Sequence, residues 1–207
     1  MVGQGALREC LLDPDVERVT TLGRSGTGQR NDKLRELIHA DLLDLAPIAS
    51  ELSGFDACLY CLGISSVGLS EEEYTRVTYA MAMSVAQMIV KLNSRMTFVF
   101  VSGGGADSSE RGRTMWARVK GRTENALMRL PFKAVYVFRP GIILPLHGIR
   151  SRTKWYNILY AVLRPLVPLF RAVMPVTTTE QLGRAMLKVA KHGFDKQIIE
   201  AADIGRV

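Results

Sequence analysis

Short runs rich in strand-forming residues, separated by longer helical stretches, narrow this chain to few architectures. The runs are residues 18–22 (RVTTL), 36–39 (ELIH), 57–62 (ACLYCL), 97–101 (TFVFV) and 134–138 (AVYVF). Several are apolar nearly throughout, so they must be buried on both faces, and only helices packed on each side of a sheet achieve that. The pattern predicts an α/β fold, a doubly wound and mainly parallel sheet.

The intervening helices have recognisable ends. Ser70 followed by Glu73 reads as a capping box, and residues 71–92 carry Tyr74, Val77, Met81, Val85, Met88 and Leu92 on one stripe. A second helix is predicted over 113–130. A third starts near Thr178, where Gln181 completes another capping box, and stops at Gly193 after Lys188, Lys191 and His192. Residues 197–201 read as a last strand. At 207 residues, with no internal repeat or long linker, the chain is expected to be one domain. It opens with a helix, residues 3–12, that no strand precedes, whereas a sheet of this kind normally begins with a central strand and a Gly-rich turn. The expectation is therefore an N-terminally truncated sheet.

The net charge of +7 is concentrated rather than spread. From Asn125 to Thr179 there is no Asp or Glu, while Arg129, Lys133, Arg139, Arg150, Arg152, Lys154, Arg164 and Arg171 all fall there. Such a segment points to a local surface for something anionic, and argues against a general nucleic-acid binder. Cys10, Cys58 and Cys61 are odd in number, and no secretory leader is visible, so a reduced, cytoplasmic protein is expected. Cys58 and Cys61 have CxxC spacing, but positions i and i+3 of a strand face opposite sides, which favours core packing over a disulfide or metal pair. His39, His147 and His192 are widely spread without partners at ligand spacing, so no metal site is expected. No G-x-S-x-G elbow or P-loop is present, which leaves hydrolase and NTPase readings without support.

The order MVGQGALRECLLDPDVERVTTLGRS, HADLLDL, FDACLYCLG, VFVSGGGAD, WARVKG, VFRPG resembles the atypical short-chain dehydrogenase/reductase superfamily, in particular its NAD(P)-dependent epimerase/dehydratase-like members. The resemblance covers nearly the whole chain. It implies a Rossmann-like NAD(P)-binding region over residues 1–145, with its first strand missing. Residues 146–207 would form a helical substrate or lid lobe and the final strand of the same domain.

Carried onto this chain, the resemblance assigns roles residue by residue. Gly3 matches the last glycine of the family's phosphate loop, where a helix N-terminus offers unpaired N–H groups to a pyrophosphate; Gly3 and Gly5 read equally well as flexible residues near a terminus. Arg24, with Ser25 beside it and Arg30 nearby, stands where a basic residue suits the 2′-phosphate of NADP, so NADP is favoured over NAD; a solvated surface arginine is the alternative. Asp41 matches an acid near the adenine, or is a plain turn aspartate. Cys61, Leu62 and Gly63 match a strand-end turn beside the cofactor, and Pro140 a second one. Ser102 and Lys120 match the catalytic serine and lysine. The phenol expected four residues before the lysine is replaced by Trp116, whose indole N–H only donates and cannot serve as the general acid/base. Gly103 replaces the family's second serine and opens a pliable Gly103, Gly104, Gly105 run. Ser108, Ser109, Arg111 and Arg113 could present hydroxyls and charge to an anionic substrate.

Two functions remain open. One is an NADP-binding, epimerase- or reductase-like protein acting on an unidentified small molecule, its cofactor affinity weakened by the truncated start. The other is a noncatalytic cofactor-sensing or scaffold protein. Its contact surface would be residues 150–174, where WYNILYAVLRPLVPLFRAVM is apolar and flanked by arginines, suited to a partner or a peripheral membrane contact.

Overall fold

The computed structural model describes residues 1–149 and 176–207. In chain order the described elements are α1 (Val2–Leu12), β1 (Val19–Gly23), β2 (Leu34–Ile38), a 3-10 turn (Ala46–Leu52), β3 (Ala57–Tyr60), α2 (Glu71–Thr75), a π-helical turn (Arg76–Ala80), α3 (Met81–Leu92), β4 (Thr97–Val101), α4 (Met115–Met128), β5 (Ala134–Arg139), β6 (Ile142–Leu144), β7 (Val176–Thr178), α5 (Thr179–His192) and β8 (Ile198–Glu200). The segment 150–174, with the membrane or partner surface read from its sequence, lies outside the described residues. Among the described residues no helix is long and apolar enough to cross a membrane.

The sheet is parallel throughout, in the order β3-β4-β5-β8, with β1-β2 a separate parallel pair and β6-β7 another. The β6-β7 pair escaped the sequence reading because three-residue strands leave no alternation to detect. Helices cover both faces, as apolar strands require. On one side Phe98, Phe100, Val135 and Val137 meet Ala82, Val85, Ala86 and Ile89 of α3 and Leu127 of α4. On the other, Val99, Tyr136 and Phe138 meet Ala6 of α1 and Leu182, Ala185, Met186 and Val189 of α5. Each fully buried side chain of this size contributes about 2–3 kcal/mol.

Both capping boxes form: Ser70 and Glu73 at α2, Thr178 and Gln181 at α5. The helix expected over 71–92 is continuous but contains one wide turn at Arg76–Ala80, where α-helical bonding slips by a residue. Helices α1 and α5 pack against each other at two glycines. A Cβ on Gly5 would lie 2.5 Å from the Thr179 carbonyl oxygen, and one on Gly183 would lie 2.9 Å from the Gly5 carbonyl oxygen. Gly5 is therefore a close-approach residue inside a helix, and the reading of it as a flexible terminus is corrected. Glu9, buried in the same contact, pairs with Arg184 at 3.0 Å and with Arg8.

Candidate functional site

Parallel strands end on one side of a sheet, and the residues singled out in the sequence gather at those ends. Gly3, in the first turn of α1, lies against Cys61 just past β3: a Cβ on Gly3 would be 3.3 Å from the Cys61 Cβ. The α1 N-terminus thus points over the carboxyl end of β3. Leu62 and Gly63 follow, both exposed, and the loop continues with exposed Ile64 and Val67. Cys61 packs with the α1 and α5 cluster while Cys58 packs with the α3 and α4 cluster, the opposite-face placement expected of i and i+3 in a strand. All three thiols are free, and burial pushes Cys58 and Cys61 up to about 12, so they remain protonated and unreactive.

Arg24 and Ser25 follow β1 and are exposed, and Arg24 has no ion-pair partner among the described residues. Under the same loop lies a carboxylate that sequence reasoning missed. Glu36 of β2 accepts a hydrogen bond from Thr27 N–H at 2.5 Å, and the Thr27 contact holds its carboxyl below the usual range. Its signal was an acidic residue in a short strand, beside Arg35. Asp41 is exposed and accepts from Leu43 N–H at 2.9 Å, the turn geometry that was its alternative reading.

At the ends of β4 and β5 the loops are tied together. Ser102 N–H donates to Phe138 O at 2.8 Å, and Gly104 N–H donates to the carbonyl of buried Pro140 at 2.9 Å. Gly104 has no room for a side chain there, since a Cβ would lie 3.3 Å from that carbonyl oxygen. Lys120 reaches up from α4 beside Gly103: a methyl on Gly103 would sit 3.6 Å from the lysine Cε and 3.9 Å from Nζ. Burial holds Lys120 below the usual lysine range, with Glu124 opposing, and Nζ has no hydrogen-bond or ion-pair partner among the described residues. Trp116, one turn earlier, places its indole edge against Gly105, a glycine at φ +85°.

Ser102 differs from its expected role. Its hydroxyl donates to Glu124, a fully buried glutamate on α4, which also accepts from Nε and Nη2 of the Arg139 guanidinium, Nε being shared between both carboxylate oxygens. Arg139 continues to Glu200 on β8 at 3.0 Å and to the Ser108 hydroxyl at 2.6 Å. The Ser102 proton is thus committed to an internal network, leaving only its lone pairs toward a ligand. Two further expectations need correction. Arg139 is buried and neutralised, so it adds nothing to a basic surface, and the hydroxyls of exposed Ser108 and Ser109 are engaged by Arg139 and Asp107. Arg111 and Arg113 do remain exposed.

The loop that carries these groups is clamped on α4. Asp107 N–H donates to Ala117 O at 2.9 Å, the Asp107 carboxylate caps Ser109 and Gly112, and the Asp107 carbonyl presses on Gly121 inside the distance any Cβ could tolerate. Backbone opposes backbone there, so neither side can yield by rotating a side chain. Gly121→Ala is expected to cost roughly 3 kcal/mol or more, read as a lowered midpoint in urea; a loss under about 0.5 kcal/mol, the range of an ordinary surface change, would show that the loop is not held there.

No protein-family model matches the chain. Over 132 residues, 62% of this chain, it is 29% identical to the mitochondrial protein FMP52-2 of Scheffersomyces stipitis. The chain spans a little over half the length of the curated relatives it matches. Among solved structures it is similar to the dTDP-glucose 4,6-dehydratase DesIV of Streptomyces venezuelae with NAD and TYD bound, at a TM-score of 0.69 and 17% identity, covering 97% of this chain and 72% of that one. A Burkholderia thailandensis oxidoreductase of the short-chain dehydrogenase/reductase family gives a TM-score of 0.64 at 13% identity, covering 99% of this chain and 88% of that one. The chain has the Rossmann-like α/β fold of these enzymes, in agreement with the resemblance read from its sequence.

Proposed function

We propose that the chain binds a nicotinamide dinucleotide across the carboxyl ends of β1, β3, β4 and β5. The observation that carries this reading is the convergence of residues far apart in sequence. The α1 N-terminus at Gly3 meets the β3 end at Cys61, and the Lys120 ammonium, without a hydrogen-bond or ion-pair partner among the described residues, meets the glycine run after β4. In this reading the α1 N–H groups face the pyrophosphate, Arg24 and Ser25 face the adenosine ribose, Asp41 lies near the adenine, and Leu62, Gly63 and Pro140 line the backbone path. Lys120 holds the nicotinamide ribose. The bound dinucleotide supplies hydride chemistry, and this chain supplies position and charge for it.

NADP is the preferred form, because Arg24 is exposed and free among the described residues to meet a 2′-phosphate. Glu36 works against that preference, although its carboxylate is already engaged by Thr27. A charge-assisted contact from Arg24 is worth about 1.5–3 kcal/mol, so NADPH should bind at least tenfold tighter than NADH in a fluorescence titration, and Arg24→Ala should erase the difference. Equal affinities, or tighter NADH, would assign the ribose to Glu36.

A small-molecule substrate, acted on by epimerase- or reductase-like chemistry, completes the proposal. Trp116 favours the second reading, a protein that binds the cofactor and senses or scaffolds without turning over, since no phenol stands one turn before Lys120. Free thiols suit a reducing compartment, the cytoplasm included.

A further inference from the structure

Lys120 carries a charge that its surroundings do not answer. It stands on α4 beside Gly103, largely out of solvent, and Nζ has no hydrogen-bond or ion-pair partner among the described residues. Glu124, one turn later on the same helix, is the carboxylate whose field reaches it, and that carboxylate is already shared between the Arg139 guanidinium and the Ser102 hydroxyl. Asp107, on the loop clamped against Gly121, spends its carboxylate on the N–H groups of Ser109 and Gly112. Trp116, one turn earlier, offers no acceptor, because an indole N–H only donates. Burial therefore outweighs Glu124 and shifts Lys120 toward the neutral amine, whose nitrogen lone pair is a nucleophile.

The amine also has room beside it. A methyl on Gly103 would sit 3.6 Å from the lysine Cε, 3.7 Å from Cδ and 3.9 Å from Nζ, and these are the three atoms nearest to it. A ligand carbon can thus stand next to Nζ at contact distance without displacing backbone. Gly104 and Gly105 continue the run and are exposed, with the indole edge of Trp116 against Gly105. The walls are lysine methylenes, glycine backbone and indole, so the space suits a small and mainly apolar molecule.

We propose that Lys120 is a nucleophilic amine that captures a small, unbranched aliphatic aldehyde as an imine when no dinucleotide is bound. The C–N bond forms as the C=O π pair moves to oxygen, and a proton passes from nitrogen to that oxygen through water. Loss of the new hydroxyl as water then leaves the C=N bond. Amine and aldehyde give imine and water, so no oxidant or reductant is needed. The burial that penalises an ammonium ion does not penalise a neutral imine. A ketone would bring a second carbon substituent into a space about one small side chain wide, which favours the aldehyde. The inference stands on the surroundings of Lys120 and is independent of the cofactor reading, in which the same nitrogen donates hydrogen bonds.

The test is imine trapping on the whole 207-residue chain, freed of dinucleotide, with propanal at pH 7, a borohydride quench and peptide mass spectrometry of each lysine. Lys91, Lys133 and Lys188 are exposed and have no ion-pair partner among the described residues, so they serve as internal standards. N-propyl occupancy at Lys120 at least tenfold above their mean, with half-maximal trapping at a lower pH than theirs, is the result expected. Gly103→Val, with the near-UV circular dichroism of the parent retained, should fill the space beside Nζ and cut trapping at Lys120 tenfold or more while the standards stay unchanged. Occupancy at Lys120 no higher than at the standards, or a pH profile that coincides with theirs, would overturn the proposal. Undiminished trapping at Lys120 in natively folded Gly103→Val would overturn it too.

Discussion

Replacing Arg139 with leucine is expected to destabilise the chain by about 3–5 kcal/mol, the cost of stranding a buried charge when its partner is removed. Glu124 has no exposure to solvent, and the Arg139 guanidinium is the cation that neutralises it. The same guanidinium reaches β8 through Glu200 and the 102–114 loop through Ser108, so its loss loosens a strand, a helix and a loop together. Against the roughly 5–15 kcal/mol by which domains of this size are stable, that is a large fraction. The double variant Arg139→Leu with Glu124→Leu should recover part of the loss, because an apolar pair leaves no stranded charge. Urea midpoints measure both. A single variant as stable as the parent would remove the network from the account, and a double variant worse than the sum of the two singles would show that the pair is not the unit that matters.

The second large effect concerns chemistry. Trp116 stands one helical turn before Lys120, at the position where a phenol would exchange a proton with a substrate oxygen, and its indole can only donate. General acid/base catalysis contributes about 10²–10⁴ in rate. Trp116→Tyr is therefore expected to raise carbonyl reduction by NADPH by a factor in that range, measured with a panel of aldehydes and ketones, and Lys120→Ala in the same background should abolish the gain. A fast reductase activity in the parent chain that survives Lys120→Ala would remove both residues from the chemistry. No gain in Trp116→Tyr, with NADPH still binding, favours the sensing reading over the enzymatic one.

The fold was largely legible because its signals are local and redundant. TFVFV, apolar at every position but its first, could only be a strand covered on both faces, and β4 is buried almost end to end. Ser70 with Glu73 and Thr178 with Gln181 announce their helices through side chains that satisfy specific N–H groups. The site was legible only where backbone position decides it. Cys61, Ser102 and Pro140 do follow the ends of β3, β4 and β5, because strand boundaries follow from pattern, and Gly3 of α1 and Lys120 of α4 lie beside them. What a polar side chain does there depends on partners far away in sequence, and no period encodes that. Ser102 turns to Glu124, and Arg139, counted as part of a basic surface, is spent on Glu124 and Glu200. A charged residue closing an otherwise apolar strand, as in AVYVFR, was the available sign that Arg139 is interior.

Among the described residues β1-β2 forms a parallel pair separate from β3-β4-β5-β8. Backbone groups along β1 and β3 that have no partner among the described residues should make this end of the sheet the first to open, since local stability follows paired and buried backbone.

A hydrogen-exchange footprint of the chain with and without millimolar NADPH tests the central claim most directly. Slowed exchange confined to four stretches, around Gly3, around Arg24 and Ser25, at Cys61 to Gly63, and at Gly103 to Gly105, is the predicted result. Those are the strand ends and the helix N-terminus across which a dinucleotide would lie. Saturation by NADPH with protection elsewhere, or no protection at any concentration up to several millimolar, would contradict the assignment of this surface to the cofactor.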